Sequence, residues 1–154
     1  MVDPSDRILL VKLRLANDWS GWVLPGGGIE AGEDPRAALA REIAEETGAT
    51  SQAFIGPVVA RRRHIKPGMV KGFDGQEETL YLVPCRSFEI APQLDPEQLR
   101  AEGVVDVGWW TAADVAGTDE RVVPDTLAEL LAQVLEFGAP DEPVMIKLIE
   151  SSAD

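Results

Sequence analysis

The strongest constraint on the fold is a helix whose two ends are both marked in the sequence, and which is entered from a glycine-rich loop. Pro25 and the three glycines after it stop a short apolar strand. Asp34 is a good N-cap, Pro35 suits the first helical position, and Gly48 suits the left-handed position after the last turn. The sequence therefore predicts a helix over about residues 35–47 that follows a strand and a tight loop.

The rest of the chain alternates apolar runs with turn residues, which predicts further strands. The predicted strands are Ile8–Leu13, Trp22–Leu24, Thr50–His64, Glu77–Arg86 and Val104–Trp110. Thr111 to Asp114 resembles a capping box that opens a short helix. Leucines and a valine recur at helical spacing from Leu127 to Leu135, which predicts an amphipathic C-terminal helix at about 124–137. Together these elements predict an α/β (α+β) fold in which a mixed sheet packs against helices.

Length and composition limit the class of protein. The chain has 154 residues, so we expect a single domain over 1–154. No stretch reaches the roughly 18 apolar residues of a membrane span, and six charged residues interrupt the first twenty positions. We therefore expect a soluble, cytoplasmic protein that does not bind membranes. One cysteine and one histidine cannot form an intramolecular disulfide or a Cys/His zinc site, so any metal must be bound by oxygen ligands.

Charge is distributed unevenly along this acidic chain. The net charge is −13, which argues against binding to nucleic-acid backbones. Residues 61–71 nevertheless hold five of the 14 basic residues and no acid. Because side chains alternate along a strand, Arg61 and Arg63 should share one face and Arg62 the other. This basic run is either a solvated strand edge or a binding surface for a small anionic ligand.

The predicted helix carries an acidic face. At 100° per residue, Glu42, Glu45 and Glu46 fall within an arc of about 100°, while Leu39 and Ile43 point mostly the other way. Neighbouring like charges on a helix repel by roughly 0.2–0.5 kcal/mol per pair. A divalent cation such as Mg²⁺, which prefers oxygen ligands, would offset that repulsion. Three glutamates alone could equally form a solvated acidic face.

The spacing around these glutamates resembles a known motif. Residues 27–49 match the Nudix box, GX5EX7REUXEEXGU, through Gly27, Glu33, Arg41-Glu42-Ile43, Glu45-Glu46, Gly48 and Ala49. The only departure is Ala49, which is smaller than the usual aliphatic residue. The resemblance implies an α/β/α sandwich and a pyrophosphohydrolase that cleaves the diphosphate bridge of a nucleoside diphosphate linked to another group X. Such substrates include nucleoside triphosphates, nucleotide sugars, ADP-ribose and dinucleoside polyphosphates.

The resemblance also implies roles for the residues of the box. Glu45 and Glu46 would be the main ligands of Mg²⁺, with Mn²⁺ as a substitute, and Glu42 would be a further ligand or a base that orients water. Gly27 would bring main-chain groups close to the metal and the substrate. Glu33 and Arg41 would support the ligands, and Arg41 is placed four residues before Glu45 to orient it.

Outside the box, candidate residues lie on the strands and one loop. Arg61 and Arg63 are candidates for contacts with substrate phosphates, and His64 is more typical of a structural role. Tyr81 is a candidate for stacking on a base, as are Trp19 and Phe73. Glu102 precedes a predicted strand, where some family members place an additional catalytic glutamate. The nearby alternatives are Asp95 and Glu97.

Two further expectations remain open at this stage. A Nudix-fold nucleotide sensor without catalysis is the alternative function, but the box retains all its carboxylates, which favours an enzyme. Family members usually have an extra strand before Arg7–Leu13, and only a short segment that begins Met1-Val2-Asp3-Pro4 precedes that strand here. We therefore expect its edge to be covered by Val144–Ile149 or by a second subunit in a homodimer.

Overall fold

The computed structural model describes residues 1–50, 54–70 and 73–146, with the backbone alone described at 64–70 and 73–74. Seven strands and four helices follow one another in this part of the chain. Their bounds are β1 Arg7–Arg14, β2 Ser20–Val23, α1 Pro35–Thr47, β3 Val58–Val70, β4 Phe73–Tyr81, α2 Pro96–Ala101, β5 Val104–Thr111, α3 Ala112–Gly117, β6 Val122–Val123, α4 Leu127–Phe137 and β7 Val144–Ile146. No helix in these ranges is long and apolar enough to cross a membrane.

The strands form two sheets. The first has the order β5-β1-β2-β6, with β1 antiparallel to both neighbours and β6 parallel to β2. The second has the order β4-β3-β7, with β3 antiparallel to β4 and parallel to β7. The predicted mixed α+β fold is confirmed, with its strands divided between two sheets.

The helices cover the sheets on opposite sides. Leu9 of β1 belongs to the same buried cluster as Ile43 of α1. Leu10, the next residue of β1, belongs instead to a cluster with Leu127 and Leu131 of α4. Because neighbouring strand residues point to opposite faces, α1 and α4 lie on the two faces of the first sheet. Other α4 side chains pack with the second sheet, so α4 joins the two sheets.

The two long strands are displaced from their predicted positions. We predicted strands at Thr50–His64 and Glu77–Arg86, whereas β3 begins at Val58 and β4 ends at Tyr81. Proline has no N–H to donate to a ladder, and Pro57 directly precedes β3. Residues 51–53 of the predicted strand lie outside the described residues.

The helix boundaries also differ in two places. The predicted C-terminal helix begins at Leu127 instead of residue 124, because Pro124 to Leu127 forms a turn in which the Leu127 N–H donates to the Pro124 carbonyl at 3.0 Å. The short helix α2 was not predicted, although Asp95 and Pro96 are typical of a helix start. The capping box at Thr111 is confirmed as the start of α3.

The prediction that β1 lies at an edge of the sheet, to be covered by Val144–Ile149 or by a second subunit, is wrong. β1 is an interior strand between β5 and β2, because the chain returns as β5 to pair with it. Val2 makes single bridges to Ile8 and to Pro84. Val144–Ile146 does form a strand, but it covers the edge of β3 in the second sheet. Residues 147–149 of the predicted segment lie outside the described residues.

Candidate active site

Helix α1 begins and ends where the sequence predicts. The Asp34 carboxylate accepts hydrogen bonds from the backbone N–H groups of Arg36 at 2.9 Å and Ala37 at 3.2 Å. Gly48 has a φ of 78°, and its N–H donates to the Ala44 carbonyl. Ile43 is buried in the core, so the helix is fixed in rotation and its acidic face lies towards the glycine loop.

Arg41 contacts two glutamates of this face and Glu33 in the loop before the helix. Its guanidinium contacts Glu33 at 3.1 Å, Glu42 at 2.8 Å and Glu45 at 3.3 Å. It also donates to the Gly28 carbonyl at 3.0 Å. The hydrogen bond from Arg41 and one from the Glu30 N–H hold the pKa of Glu33 below its usual range. The Arg41 guanidinium therefore links the loop to the helix and orients the carboxylates of Glu42 and Glu45.

Glu46 lies deeper than the other glutamates, with only 6% of its surface exposed. Its carboxylate accepts a hydrogen bond from the Gly26 N–H at 3.0 Å. Burial raises the pKa of Glu46 to about 8, and the negative charges of Glu42, Glu102 and Glu45 contribute, while the Gly26 bond opposes the shift. A buried carboxylate among like charges is unfavourable unless positive charge is supplied.

Gly27 allows the loop to approach the helix. A Cβ atom at this position would lie 2.5 Å from the carboxyl carbon of Glu42, so a side chain here would displace the Glu42 carboxylate. Glycine therefore allows the main chain and the Glu42 carboxylate to keep this close approach.

The residues of this site fit a hard divalent cation by their chemistry. They supply carboxylate oxygens, and one of these carboxylates is buried among negative charges. Across residues 1–50, 54–70 and 73–146, no three acidic, histidine or cysteine side chains already gather as a formed metal centre. Glu42 and Glu45 are instead directed towards Arg41. The assignment of individual ligands stays a prediction.

Glu102 lies at the end of α2 and is exposed. Its charge raises the pKa of Glu46, which places it in the electrostatic environment of the box carboxylates. Of the two alternatives, Asp95 is engaged as the N-cap of α2, where its carboxylate accepts hydrogen bonds from Glu97 N–H at 2.8 Å and Gln98 N–H at 2.9 Å. Glu97 is exposed in the first turn of the same helix.

The three arginines of β3 alternate as predicted. Arg62 is 8% exposed and forms a two-pronged pair with Glu78, with hydrogen bonds of 2.9 and 2.8 Å. Arg61 and Arg63 are exposed on the other face. The structure thus separates one structural arginine from two that remain accessible. The side chains of His64, Lys66 and Lys71, from the same basic run, lie outside the described residues.

The two aromatic candidates whose side chains are described each have an arginine over the ring. Tyr81 has the guanidinium of Arg36 over its ring at 5.1 Å from the centroid. Trp19 has the guanidinium of Arg121 over its ring at 5.7 Å from the centroid. Trp19 lies just before the start of β2, whereas the glycine loop follows the end of that strand. The side chain of Phe73 lies outside the described residues.

The resemblance implied that main-chain groups of the glycine loop lie near the metal, but not which residues of the box two of these groups bind. The Gly26 N–H binds Glu46, and the Gly28 carbonyl binds Arg41. The run of three glycines is the signal that could have indicated them, because a chain without side chains can bring its own polar groups close to a helix.

A family model described as NUDIX domain matches residues 1–134. This chain belongs to the Nudix family. Nudix hydrolase 25 of Arabidopsis thaliana is 37% identical over 96% of this chain and 81% of its own length. An RNA pyrophosphohydrolase of Caulobacter vibrioides is 25% identical over 92% of this chain and 85% of its own length. The NUDIX domain of Shewanella oneidensis NrtR, solved with ADP-ribose, shares the fold with a TM-score of 0.62, at 21% identity, over 84% of this chain and 77% of that one.

The family membership confirms the predicted reaction class. This Nudix protein is a hydrolase that acts on pyrophosphate bonds. Nudix hydrolases generally use divalent metal ions. Among the structural neighbours, the Shewanella domain binds ADP-ribose, which is a small nucleotide ligand.

Proposed function

We propose that this protein is a Mg²⁺-dependent pyrophosphohydrolase that cleaves the diphosphate bridge of a nucleoside diphosphate linked to another group X. Mn²⁺ would substitute for Mg²⁺. The observation that carries the proposal is Glu46, a carboxylate only 6% exposed beside three other negative charges. A protein that only needed to fold would be more stable with a neutral residue at position 46. The presence of a glutamate at this position is therefore best explained by a bound cation.

Each residue of the site has a distinct role in this proposal. Glu45 and Glu46 would hold the cation, which when bound supplies charge neutralisation on the diphosphate oxygens. Glu42 would be a further ligand or would accept a proton from the attacking water. Arg41, paired with Glu33, holds Glu42 and Glu45 in position. The water oxygen forms a bond to one phosphorus, and the bridging oxygen leaves with the other phosphate.

The substrate side would use residues outside the helix. We assign Arg61 and Arg63 to the phosphates, because their exposed guanidinium groups suit bidentate contacts with phosphate oxygens. Gly27, whose main chain lies close to the Glu42 carboxylate, would bring main-chain groups close to the substrate phosphates. We assign Tyr81 to the nucleobase, because an aromatic ring can stack on a base.

We further propose that the substrate is a small nucleotide instead of an RNA chain. The Caulobacter relative is named for RNA, but this chain carries a net charge of −13. Binding to a long phosphate backbone needs several positive contacts and would be opposed by that charge. A mononucleotide or dinucleotide needs only a local pair of cations such as Arg61 and Arg63.

A hydrolysis screen tests this function. The panel should contain nucleoside triphosphates, nucleotide sugars, ADP-ribose, dinucleoside polyphosphates, oxidised nucleotides and a 5′-triphosphate RNA, each with Mg²⁺, Mn²⁺ or a chelator. We expect metal-dependent release of phosphate products from a small nucleotide. Binding that raises the melting temperature without turnover of any compound would contradict the proposal and indicate a sensor. Preferred turnover of the RNA would contradict the assignment to small nucleotides.

A further inference from the structure

After β4 the chain passes across the C-terminal end of α1. The backbone N–H of Ala91 donates to the Thr47 carbonyl at 3.1 Å, and the N–H groups of Gln93 and Leu94 donate to Ala44 and Glu45 at 3.3 Å each. The last carbonyls of a helix have no partner within the helix. Residues 91–94 supply such partners from a distant part of the chain, so this segment is tied directly to the last turn of the helix that carries the glutamates.

Gly48 makes this close approach possible. Its φ of 78° favours glycine, and the close approach of residue 91 also leaves no space for a side chain. A Cβ atom on Gly48 would overlap the carbonyl oxygen of Ala91. The box glycine therefore ends α1 and also leaves the space in which residues 91–94 cross it.

The same segment leads directly into α2 and Glu102. Asp95 and Gln98 form a capping box, in which the Asp95 N–H also donates to the Gln98 side chain at 3.0 Å. The helix has six residues and ends with Glu102 as its C-cap. Gly103 then accepts a hydrogen bond from the Arg14 N–H of β1 at 2.8 Å. The segment that contains Glu102 is thus tied to the end of α1 before α2 and to the first sheet after it.

None of the six residues of α2 is buried. An isolated helix of this length is unstable in water, and here no buried side chain anchors it. Its position therefore depends on its capping box, on residues 91–94 before it, on Gly103 after it and on its contacts with β5. Loss of the cap should loosen α2 more readily than it would loosen a helix with a residue in the core.

We propose that residues 91–102 form a positioning element that holds the Glu102 carboxylate against the acidic face of α1, with Asp95 as its principal positioning residue. The inference deepens the proposed function and rests on it, because it assigns Glu102 to the same reaction. The hydrogen bonds of residues 91–94 to the last turn of α1 and of Gly103 to β1 support the placement.

A matched pair of cap variants tests the positioning role. Helix α3 also has six residues and a capping box, formed by Thr111 and Asp114, but it buries Val115. We expect Asp95→Ala and Thr111→Ala to lower the melting temperature by similar amounts, since each removes one N-cap. Only Asp95→Ala should lower kcat, by about tenfold with little change in KM, as is typical of lost support around a catalytic group. Asp95→Asn should retain activity, because asparagine caps helices as well as aspartate.

Two further measurements separate the positioning role from the proposed function. Hydrogen exchange of the metal-free protein should show faster exchange across residues 91–102 in Asp95→Ala and not in Thr111→Ala. Glu102→Gln should lower kcat, and adding Asp95→Ala to it should cause little further loss, because both act through one carboxylate.

Each contrary result has a distinct meaning. A lowered kcat in Glu102→Gln with normal kcat in Asp95→Ala would overturn the positioning element alone. Normal activity in Glu102→Gln would overturn the assignment of Glu102 and the positioning role with it, while the roles of the box glutamates would remain to be judged by their own variants.

Discussion

Two carboxylates of this protein are almost equally buried and have opposite properties. Asp3 is 4% exposed and Glu46 is 6% exposed. Asp3 accepts two hydrogen bonds from the Arg7 guanidinium, one from Ser87 and two from backbone N–H groups. Burial raises the pKa of Asp3, but these bonds outweigh it and lower the pKa to about 2, whereas the pKa of Glu46 is raised to about 8.

The difference shows that the exposed fraction alone does not distinguish a structural carboxylate from one suited to chemistry, because the surrounding donors differ. Asp3 joins the N-terminal segment to Ser87 through a satisfied network. Glu46 has the Gly26 N–H as a donor and lies in the field of three negative charges. Asp3 should therefore matter for stability and Glu46 for activity.

The largest expected effect is on catalysis, in Glu46→Gln. The glutamine oxygen can still accept the Gly26 hydrogen bond, so the fold should be retained, and the metal-free variant should be at least as stable as the parent at pH 7. Loss of a metal ligand should lower kcat by roughly 100-fold or more, which corresponds to a rise of about 2.7 kcal/mol in the activation free energy. Steady-state kinetics measure this, and melting with and without Mg²⁺ should show a smaller rise in the variant. Equal activity in both proteins would remove Glu46 from the site.

Asp3→Asn should have the reverse effect. It removes the acceptor charge from a buried network that contains Arg7, so we expect the free energy of unfolding to fall by about 2–3 kcal/mol. The specific activity of the folded fraction should be unchanged. Denaturant titration and kinetics on the same preparation check both statements. A variant that lost activity but not stability would contradict the contrast with Glu46.

The pH dependence of stability should report Asp3 separately. Its folded pKa of about 2 lies below the ordinary value of 3.8, so its contribution is present above pH 3.8 and is lost as the pH falls towards 2. That contribution is about 2 kcal/mol. The stability difference between the parent and Asp3→Asn should therefore shrink from pH 5 to pH 2. A constant difference would mean that the pKa of Asp3 is the same in the folded and the unfolded protein.

The smallest effects are expected on β3, where charges again divide into paired and accessible ones. Arg61→Ala and Arg63→Ala should each lower kcat/KM by up to about tenfold and change stability by less than about 0.5 kcal/mol. Arg62→Ala should instead destabilise the protein by about 1–3 kcal/mol, because it leaves Glu78 without its partner. Unchanged kinetics in the Arg61 and Arg63 variants would identify these arginines as a solvated strand surface.

The features that could be predicted from the sequence are those that depend on neighbouring residues. Helix α1 has the predicted ends because Asp34 and Gly48 act within one turn of it. The placement of Arg62 on the opposite face from Arg61 and Arg63 follows from strand alternation alone, although alternation does not say which face is buried. The Nudix box identified the family because its residues are fixed by their spacing along one loop and one helix.

What the tertiary structure decided depends on groups that are far apart in the sequence. The division of the strands into two sheets, and the interior position of β1, required β5 and β7 to return from the C-terminal half. The pairing of Arg62 with Glu78 required the register of β3 and β4. The raised pKa of Glu46 required its burial together with the approach of Glu102. Local propensity does not predict which distant residues will contact each other, because burial and electrostatic fields are properties of the packed chain.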